Sequence, residues 1–488
     1  MSDRFSFSSR KRKPTLRNEG QMRKPKIVAL GLAVGLVFGF VGAWSVGPAL
    51  SEGTERSIAE TLQVHHKQPS LVDRSKPLEL VYDTICPWDE EAFMKNVASE
   101  CKPTGDIFVR SEGSEVLQVY TLNPVEGTPF LTATLPSEVT SHSFTYFAEV
   151  RDEGSGSELV RIPDDPRTFH RAFPLDDSFD VMLENPKAFD QPDATVVRGS
   201  WGGEMSQFGL TGGNESGLDG PSAFGFDTDG SLVVLDQVNG RLIDFNLLGG
   251  VDGAVTIDHS GSLGDLAVGS DGVRYVMDDS ARADARVVAL TPEGHSLVTA
   301  APPALLPEKM SIVDGKLFIL DAIRGSWSAA MDGGEVVVTE MRSNGLPLET
   351  AQRTAVLDKM NLSGAGNPGE LVAWADANEA KFALVDGTRV IRSWRVSSER
   401  QIGEIQLALI SDGALLVVLR TWNDTNSAFE ILRLSDSELL DHRVVETGDW
   451  AQSSVLGRFE LNTRGELFQL RSSPDGFSIV RFDFGGGK

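Results

Sequence analysis

Residues that many enzymes rely on are scarce in this chain. Its 488 residues include only two cysteines and seven histidines. No His-x-His, His-Glu-x-x-His or Gly-x-Ser-x-Gly pattern and no phosphate-binding loop occurs, so the common zinc, serine-hydrolase and nucleotide sites are not indicated. Basic residues are also few, 45 Lys and Arg against 70 Asp and Glu, which disfavours nucleic-acid binding because phosphates would be repelled. We therefore predict no catalytic, cofactor-binding or metal-binding residue from motifs.

The positive charge that is present is concentrated at the amino terminus. Residues 1–26 hold nine Lys and Arg against two acidic residues, and residues 27–46 form a run of 20 residues without charge. At ~1.5 Å per residue this run spans about 30 Å as a helix, the thickness of a bilayer core. The basic flank predicts a cytoplasmic tail at 1–26, a single transmembrane helix at 27–46 and an exported remainder. The alternative is a signal peptide cleaved near Ser51.

Small residues recur every fourth position in the predicted membrane helix. The stripe consists of Gly31, Gly35, Gly39 and Ala43. Such a stripe lets two helices approach closely, so a homodimer through this helix is one interpretation. The other is that glycine is simply common in membrane helices.

A repeated phrase dominates the second half of the chain. Residues 223–236, 266–278 and 310–321 each combine an apolar strand, an Asp-Gly-type turn and a second apolar strand that ends in Asp. The turn glycines Gly230, Gly272, Gly315, Gly413 and Gly465 are spaced by 42, 43, 98 and 52 residues, and a hidden turn is expected near Asn378. Six copies of about 45 residues predict a six-bladed β-propeller over 194–488.

The first copy resembles an NHL-type propeller repeat. Residues 220–245 contain a Gly-Pro start, an Asp-x-Asp-Gly turn, a strand ending in Asp236 and an Asn-x-Arg corner at Asn239 and Arg241. The resemblance implies propeller architecture. Aspartates at the turns, such as Asp227, Asp229 and Asp271, are expected to cap the backbone, with calcium binding as the alternative.

The strand count predicts how the ring closes. Residues 194–201 read as an outer strand without a blade, and the chain ends on a third strand without a fourth. We therefore expect Val196 and Val197 to form the outermost strand of the last blade.

The chain between the membrane segment and the propeller divides into three parts. Residues 47–77 are polar and predict a stalk, in which His65 and His66 are expected to be solvated. Residues 78–163 alternate in hydrophobicity and weakly resemble an immunoglobulin-like sandwich, and residues 164–193 read as a linker. Cys86 and Cys101 lie in this unit, and a disulfide between them is expected outside the cytoplasm.

Two functional interpretations follow from this mainly β architecture. The first is a membrane-anchored, extracytoplasmic binding or scaffold module for a protein or glycan partner. The second, implied by resemblance to gluconolactonases and streptogramin lyases, is a metal-dependent hydrolase or lyase with its metal in the central channel. The inner strands read as mostly apolar, which favours the binding module.

The six tryptophans of the ring are expected to lie between blades, with a ligand-stacking cluster as the alternative. They are Trp201, Trp327, Trp374, Trp394, Trp422 and Trp450. A 27-residue insertion at 343–369, with a predicted helix at 349–360, separates blades three and four.

Overall fold

The structure is a computed structural model. It describes residues 62–86, 101–154, 159–163, 169–213, 216–246, 248–259, 263–278, 285–302, 307–321, 326–332, 335–336, 342–343, 345–348, 352 and 369–484, apart from 452–457 and 463. The predicted tail, the membrane segment and the stripe Gly31, Gly35, Gly39 and Ala43 lie outside the described residues. Among the residues described, no helix is both long and apolar enough to cross a bilayer.

Residues 62–175 form a small β domain around its own core. The strands are β1 (Gln63–His65), β2 (Leu71–Asp73), β3 (Leu78–Ile85), β4 (Pro103–Ser111), β5 (Gln118–Pro124), β6 (Phe130–Leu135), β7 (Phe144–Asp152), β8 (Val160–Ile162) and β9 (His170–Leu175), with one helical turn, α1 (Ser137–Thr140). Their order is β1-β3-β6-β5-β4-β7-β9-β2, and β8 pairs with β7. Alternate residues of β7 are buried, so one face of the sheet covers the core. The strands form one hydrogen-bonded path, which folds over so that β3 and β6 share a single core with β4 and β7.

The small domain extends beyond its predicted limits on both sides. β1 and β2 lie in the segment predicted as a stalk, and β9 lies in the predicted linker. β9 pairs with β7 and with β2, so both segments complete the sheet. The short lengths of β1 and β2, three residues each, explain why no period was visible there.

Cys86 and Cys101 form the expected disulfide, with 6.0 Å between their Cα atoms. The bond joins the end of β3 to the start of β4. It therefore fixes two strands of the small domain that are not direct neighbours in the sheet.

Residues 194–484 form a six-bladed β-propeller. Blade 1 is β15 (Ala223–Phe226), β16 (Leu232–Asp236), β17 (Arg241–Phe245) and β18 (Val251–Thr256); blade 2 is β19 (Leu263–Val268), β20 (Arg274–Asp278), β21 (Arg286–Leu290) and β22 (Ser296–Ala300); blade 3 is β23 (Pro307–Val313), β24 (Lys316–Asp321), β25 (Ser326–Asp332), β26 (Glu335–Val336) and β27 (Arg342–Ser343). Blade 4 is β28 (Leu346–Pro347), β29 (Glu370–Asp376), β30 (Glu379–Asp386) and β31 (Arg389–Ser398); blade 5 is β32 (Gln401–Ser411), β33 (Ala414–Trp422), β34 (Ser427–Leu434) and β35 (Leu439–Glu446); blade 6 contains β36 (Phe459–Leu461), β37 (Leu467–Ser473) and β38 (Gly476–Phe482). Each blade runs outward in chain order.

Five further strands precede the first blade. They are β10 (Phe179–Leu183), β11 (Ala194–Trp201), β12 (Gln207–Phe208) and the hairpin of β13 (Thr211–Gly213) and β14 (Ser216–Asp219). β11 pairs with β38, with Val197 opposite Ile479 and a bulge at Val196. The predicted closure of the ring is therefore confirmed, and β12 adds two residues outside β11.

The repeated turns have the geometry that glycine allows. Gly230, Gly272, Gly315, Gly413 and Gly465 all adopt positive φ, between 74° and 86°. Since residues with a Cβ atom rarely adopt this conformation, the repeat spacing could be measured on these glycines.

Blade 4 contains the turn that the sequence predicts near Asn378. The turn joins β29 to β30, and β29 lies beside β32, the first strand of blade 5, as the first strands of blades 1 and 2 lie beside each other. β28, which lies in the insertion, pairs with two residues of β29, and the predicted helix at 349–360 falls outside the described residues except at Gln352. β10, in the predicted linker, pairs in parallel with β31 as a fifth, outermost strand.

The small domain packs against one face of blade 4. Leu71, Phe173 and Leu175 share a buried cluster with Val372, Ala383 and Val385. Beside this cluster, Asp73 pairs with Lys381 at 3.3 Å and with Arg395. Apolar burial and paired charges thus join the small domain to the propeller.

Candidate functional site

The residues of the NHL-like motif serve structure in blade 1. The buried carboxylate of Asp236 accepts hydrogen bonds from Gly209 N (2.9 Å), Asn239 Nδ2 (2.7 Å) and Arg241 Nε (3.0 Å). Arg241 also donates to the carbonyls of Gly203, Glu204 and Gln207. The motif therefore fixes the loop that leads from β11 into blade 1. Blade 2 repeats the ion pair between Asp278 and Arg286 at 2.8 Å.

The turn aspartates cap backbone amides as expected. Asp227 accepts from Thr228 N, Asp229 from Ser231 N and Asp271 from Val273 N, at 2.8–3.1 Å. Asp227 also pairs with Arg274 of the neighbouring blade at 3.0 Å. These contacts stabilise the hairpins and the blade 1–blade 2 contact.

The tryptophans lie in different places around the ring. Trp394 is fully buried between blades 4 and 5 and donates to the Ser435 carbonyl at 2.6 Å. Trp201 and Trp450 form a tilted pair 6.0 Å apart, and Trp450 is 39% exposed. Trp374 lies at the contact with the small domain. Trp394 fits the predicted place between blades, whereas Trp450 does not.

His66 is buried, and the prediction that it is solvated was wrong. Its ring stacks on Tyr82 with centroids 4.2 Å apart, and its nitrogens lie 2.8 Å from the Val81 carbonyl and from the Tyr146 hydroxyl. Burial lowers the pKa of His66 to about 4, so the ring is neutral in ordinary buffers. His65, its neighbour on the other face of the strand end, is exposed.

The central channel carries charged side chains at a few positions of inner strands that are otherwise mostly apolar, as expected. In a propeller the first strand of each blade lines the channel. β19 carries Asp265, β23 carries Glu308 and Lys309, β32 carries Glu404, and β36 carries Glu460. We call these five residues the axial site.

Lys309 is central to the axial site. Its ammonium group donates to the Gln406 carbonyl of β32 at 2.6 Å, which links blades 3 and 5 across the channel. The positive charge lowers the pKa of three carboxyl groups, those of Asp265, Glu308 and Glu460. Its ammonium group therefore lies close enough to act on all three.

Asp265 joins two neighbouring blades. Its Oδ2 accepts a hydrogen bond from Met310 N of β23 at 2.7 Å. Burial raises the pKa of Asp265 to about 6, against the lowering by this bond and by Lys309. The carboxyl is mostly ionised at neutral pH.

Glu308 and Glu460 retain protons more strongly. Burial, and then the charge of Glu404, raises the pKa of Glu308 to about 7. Burial, with a contribution from Asp265, raises the pKa of Glu460 to about 8. Both side chains are densely surrounded by protein yet remain partly accessible to solvent, as expected for groups lining a channel. The three carboxyl groups, on the first strands of blades 2, 3 and 6, thus have pKa values between about 6 and 8.

Two more cations lie beside the axial site. Lys67, in the segment between β1 and β2, donates to the Ala375 carbonyl at 2.8 Å, and its ammonium lies 5.8 Å from the Trp374 ring centroid. The surrounding protein lowers its pKa, while Asp376 and Glu308 oppose that shift. Arg458, just before β36, is buried and donates to the Thr447 carbonyl at 3.3 Å. Burial lowers the pKa of Arg458 to about 10.

The axial site does not fit the metal that the lyase resemblance implies. Within the described ranges, no three His, Cys, Asp or Glu side chains are grouped closely enough to share an ion. The ammonium of Lys309 lies among the carboxyl groups and would repel a divalent cation. The donor set instead suits proton transfer and hydrogen bonding.

A separate cavity of about 230 Å³ lies between blades 6 and 1. Its wall includes Phe226 and Asn246 from blade 1 and Asn462, Phe468 and Arg481 from blade 6. Arg481 is paired with Glu466 at 3.2 Å and with Asp483 at 2.8 Å, so its charge is already compensated.

Comparisons with known proteins concern the fold alone. No protein-family model and no curated protein matches the chain in sequence. Among solved structures, it is similar to a streptogramin B lyase at 9% identity, over 54% of this chain and 93% of that one, with a TM-score of 0.32. It is also similar to the PQQ-bound aldose sugar dehydrogenase of Streptomyces coelicolor (12% identity, 60% and 96% coverage, TM-score 0.30) and to regucalcin of Agrobacterium tumefaciens (12%, 54% and 90%, 0.31). These similarities carry no inference about activity.

The sequence contained one signal for the axial site that motif analysis missed. Charged residues interrupt the apolar inner strands at Asp265, at Glu308 and Lys309, and at Glu460. A charged residue in a strand that should be buried needs a partner, so these interruptions together mark a channel.

Proposed function

We propose that this protein is a membrane-anchored, extracytoplasmic binding module that displays its propeller to a protein or glycan partner. The observation that carries the proposal is the junction between the small domain and blade 4. The apolar cluster around Leu71 and Phe173, the ion pairs of Asp73 and the added strand β10 connect the segment after the membrane to the ring at several points. A firmly mounted ring suits a binding surface, because little orientational freedom is lost when a partner docks.

The membrane anchor in this proposal rests on residues 1–46. The basic tail and the uncharged run support an amino terminus in the cytoplasm and a ring outside. We expect the full chain to sediment with membranes and its carboxyl-terminal part to be cleaved by protease added outside. A soluble form that begins near residue 52 would instead show that the segment is a cleaved signal.

Dimerisation through the stripe Gly31, Gly35, Gly39 and Ala43 is tested by crosslinking the full chain and a Gly35→Leu variant, which should form fewer crosslinked dimers.

The binding role is tested with the full-length chain in intact envelopes. Crosslinking should capture a partner, and added soluble ectodomain should compete for it in a saturable manner. As a matched pair, Asp73→Asn weakens the junction, whereas Asp424→Asn, at an exposed residue of the turn between β33 and β34, does not. Capture that is not competed by excess ectodomain would argue against a specific binding module.

A second candidate function is acid–base catalysis in the channel. The specific observation is the spread of pKa values, with Glu460 protonated and Asp265 ionised near neutral pH. Carboxyl groups that titrate at different pH can act as general acid and general base. A hydrolase or lyase of this kind would turn over lactone or glycan substrates in the presence of a chelator, and Glu460→Gln would abolish turnover. Turnover that depends on added metal, or that survives Glu460→Gln, would contradict this assignment.

A further inference from the structure

The axial site and its surroundings carry charges of both signs, in contrast to the strong acidity of the chain as a whole. The chain carries a net charge of −25. Here the cations are Lys67, Lys309 and Arg458, and the carboxyl groups are Asp265, Glu308, Glu404 and Glu460, with Asp321 and Asp376 beside them. With pKa values of about 7 and 8, Glu308 and Glu460 together carry less than one negative charge at neutral pH. A strongly charged ligand of either sign would therefore meet groups of its own sign in this site.

The hydrogen-bonding capacity of the site is largely unused. Neither the Glu308 nor the Glu460 carboxyl group makes a hydrogen bond to any residue that the structure describes. A carboxyl group that holds its proton can donate one hydrogen bond and accept others. Lys309 donates one of its three N–H groups to the Gln406 carbonyl, and Lys67 donates one to the Ala375 carbonyl. An alcohol group also donates and accepts hydrogen bonds. It can therefore bond to a protonated carboxyl group and to the remaining N–H groups of Lys309 and Lys67.

The small domain contributes to this site directly. Lys67 follows His66, whose buried ring fixes the backbone at this point of the small domain. The Lys67 ammonium lies over Trp374, and its charge lowers the pKa of Glu308. The Trp374 indole N–H is buried without an acceptor among the described residues. Lys67 therefore brings the small domain to the wall of the channel.

We propose that the axial site is a composite binding site for an uncharged, hydroxyl-rich ligand, and that Lys67 of the small domain completes it. The proposal rests on the proposed binding function and narrows it to a glycan or polyol in the channel. A divalent cation is opposed by Lys309, and a strongly anionic ligand is opposed by Asp265 and Glu404. Glu308 and Glu460 provide the paired donors and acceptors, and Lys67 and Lys309 supply further donors.

The test uses full-length protein in detergent and three kinds of probe. These are neutral trisaccharides (maltotriose and N,N′,N″-triacetylchitotriose), the polyamine spermidine and the polyanion citrate, each followed by calorimetry and, for the sugars, saturation-transfer NMR. We expect binding of a neutral trisaccharide, weakened at least tenfold in Glu460→Ala and in Lys67→Met but less than threefold in Glu460→Gln, which retains a donor and an acceptor. The matched controls Glu438→Gln and Lys102→Met change exposed residues outside the site and should bind as the unchanged protein does.

The dependence on pH provides a second measurement. Raising the pH from 6 to 9 ionises Glu308 and Glu460 in the presence of Asp265, Asp321, Glu404, Lys309, Lys67 and Arg458, so sugar affinity should fall. In Glu460→Gln the fall should be smaller. Preference for spermidine or citrate, absence of trisaccharide binding at 50 mM, or sugar binding that Lys67→Met leaves unchanged would each overturn the inference. Partner capture in envelopes that persists despite such a result would show that the binding function stands without this site.

Discussion

Deleting residues 477–488 should unfold the propeller, because these residues include most of the strand that closes the ring. β38 pairs with β37 on one side and with β11 on the other. It buries Phe477, Ile479, Val480 and Phe482, each 3% exposed or less. At roughly 1.5–3 kcal/mol for each buried side chain, the loss is about 6–12 kcal/mol. That is comparable to the whole stability of a typical domain, about 5–15 kcal/mol.

The deletion is measured by urea denaturation, with size-exclusion chromatography to detect aggregation. Deleting residues 485–488 is the control, because it leaves β38 whole and should change the midpoint little. If the longer deletion remained monomeric with an unchanged urea midpoint, closure by β38 would be refuted.

A double-mutant cycle tests the closing pair itself. Ile479→Ala should cost about 2–5 kcal/mol because Ile479 is fully buried. Since Val197 lies opposite Ile479, the cost of changing both to alanine should differ from the sum of the single costs by at least about 0.5 kcal/mol. Val197→Ala combined with Val276→Ala, buried in blade 2, should be additive. Additive costs for the closing pair would show that the two strands do not act together.

Three further predictions concern single sites. The pKa of Glu460 is raised to about 8 in the folded protein, so the contribution of this group to the free energy of unfolding is complete below about pH 4.5 and is lost as the pH rises to 8. The free energy of unfolding should fall by at most about 1.4 kcal/mol per pH unit because of this group. Urea titrations at several pH values should show that Glu460→Gln removes this pH dependence. Asp236→Ala leaves Arg241 without its carboxylate and should cost about 3–5 kcal/mol, seen as a lower urea midpoint. Replacing Cys86 and Cys101 by serine should destabilise the small domain by about 3 kcal/mol without changing the propeller transition in calorimetry.

The parts of the fold that the sequence predicts are those with local physical causes. Gly230, Gly272 and Gly315 mark hairpins because positive φ is costly for other residues, and their spacing is the repeat length. Ring closure was predictable because a strand without a blade can form its backbone hydrogen bonds with a blade that lacks its last strand. Both inferences use backbone hydrogen bonding, which does not depend on distant side chains.

The parts that were missed depend on pairing between distant segments. β10 is a five-residue strand whose partner, β31, lies some 200 residues away. Its own sequence contains no signal for pairing with β31. The strand β28 was missed because its two residues, inside the insertion before β29, show no periodicity. The axial site was missed since Asp265, Glu308 and Glu460 stand on different blades, and only the closed ring brings them together.

The strand β11, which leads into the ring, also closes it, so the ring cannot close until the end of the proposed exported chain has been made. β11 is made early, yet it is paired only when β38 arrives, 282 residues later at the register of Val197 and Ile479. Until then its open edge can pair with another chain. A net charge of −25 opposes such encounters, because like-charged chains repel each other before their edges meet. The acidic composition that disfavours nucleic acid as a partner therefore also favours closure of each ring on its own last strand over pairing with a neighbouring chain.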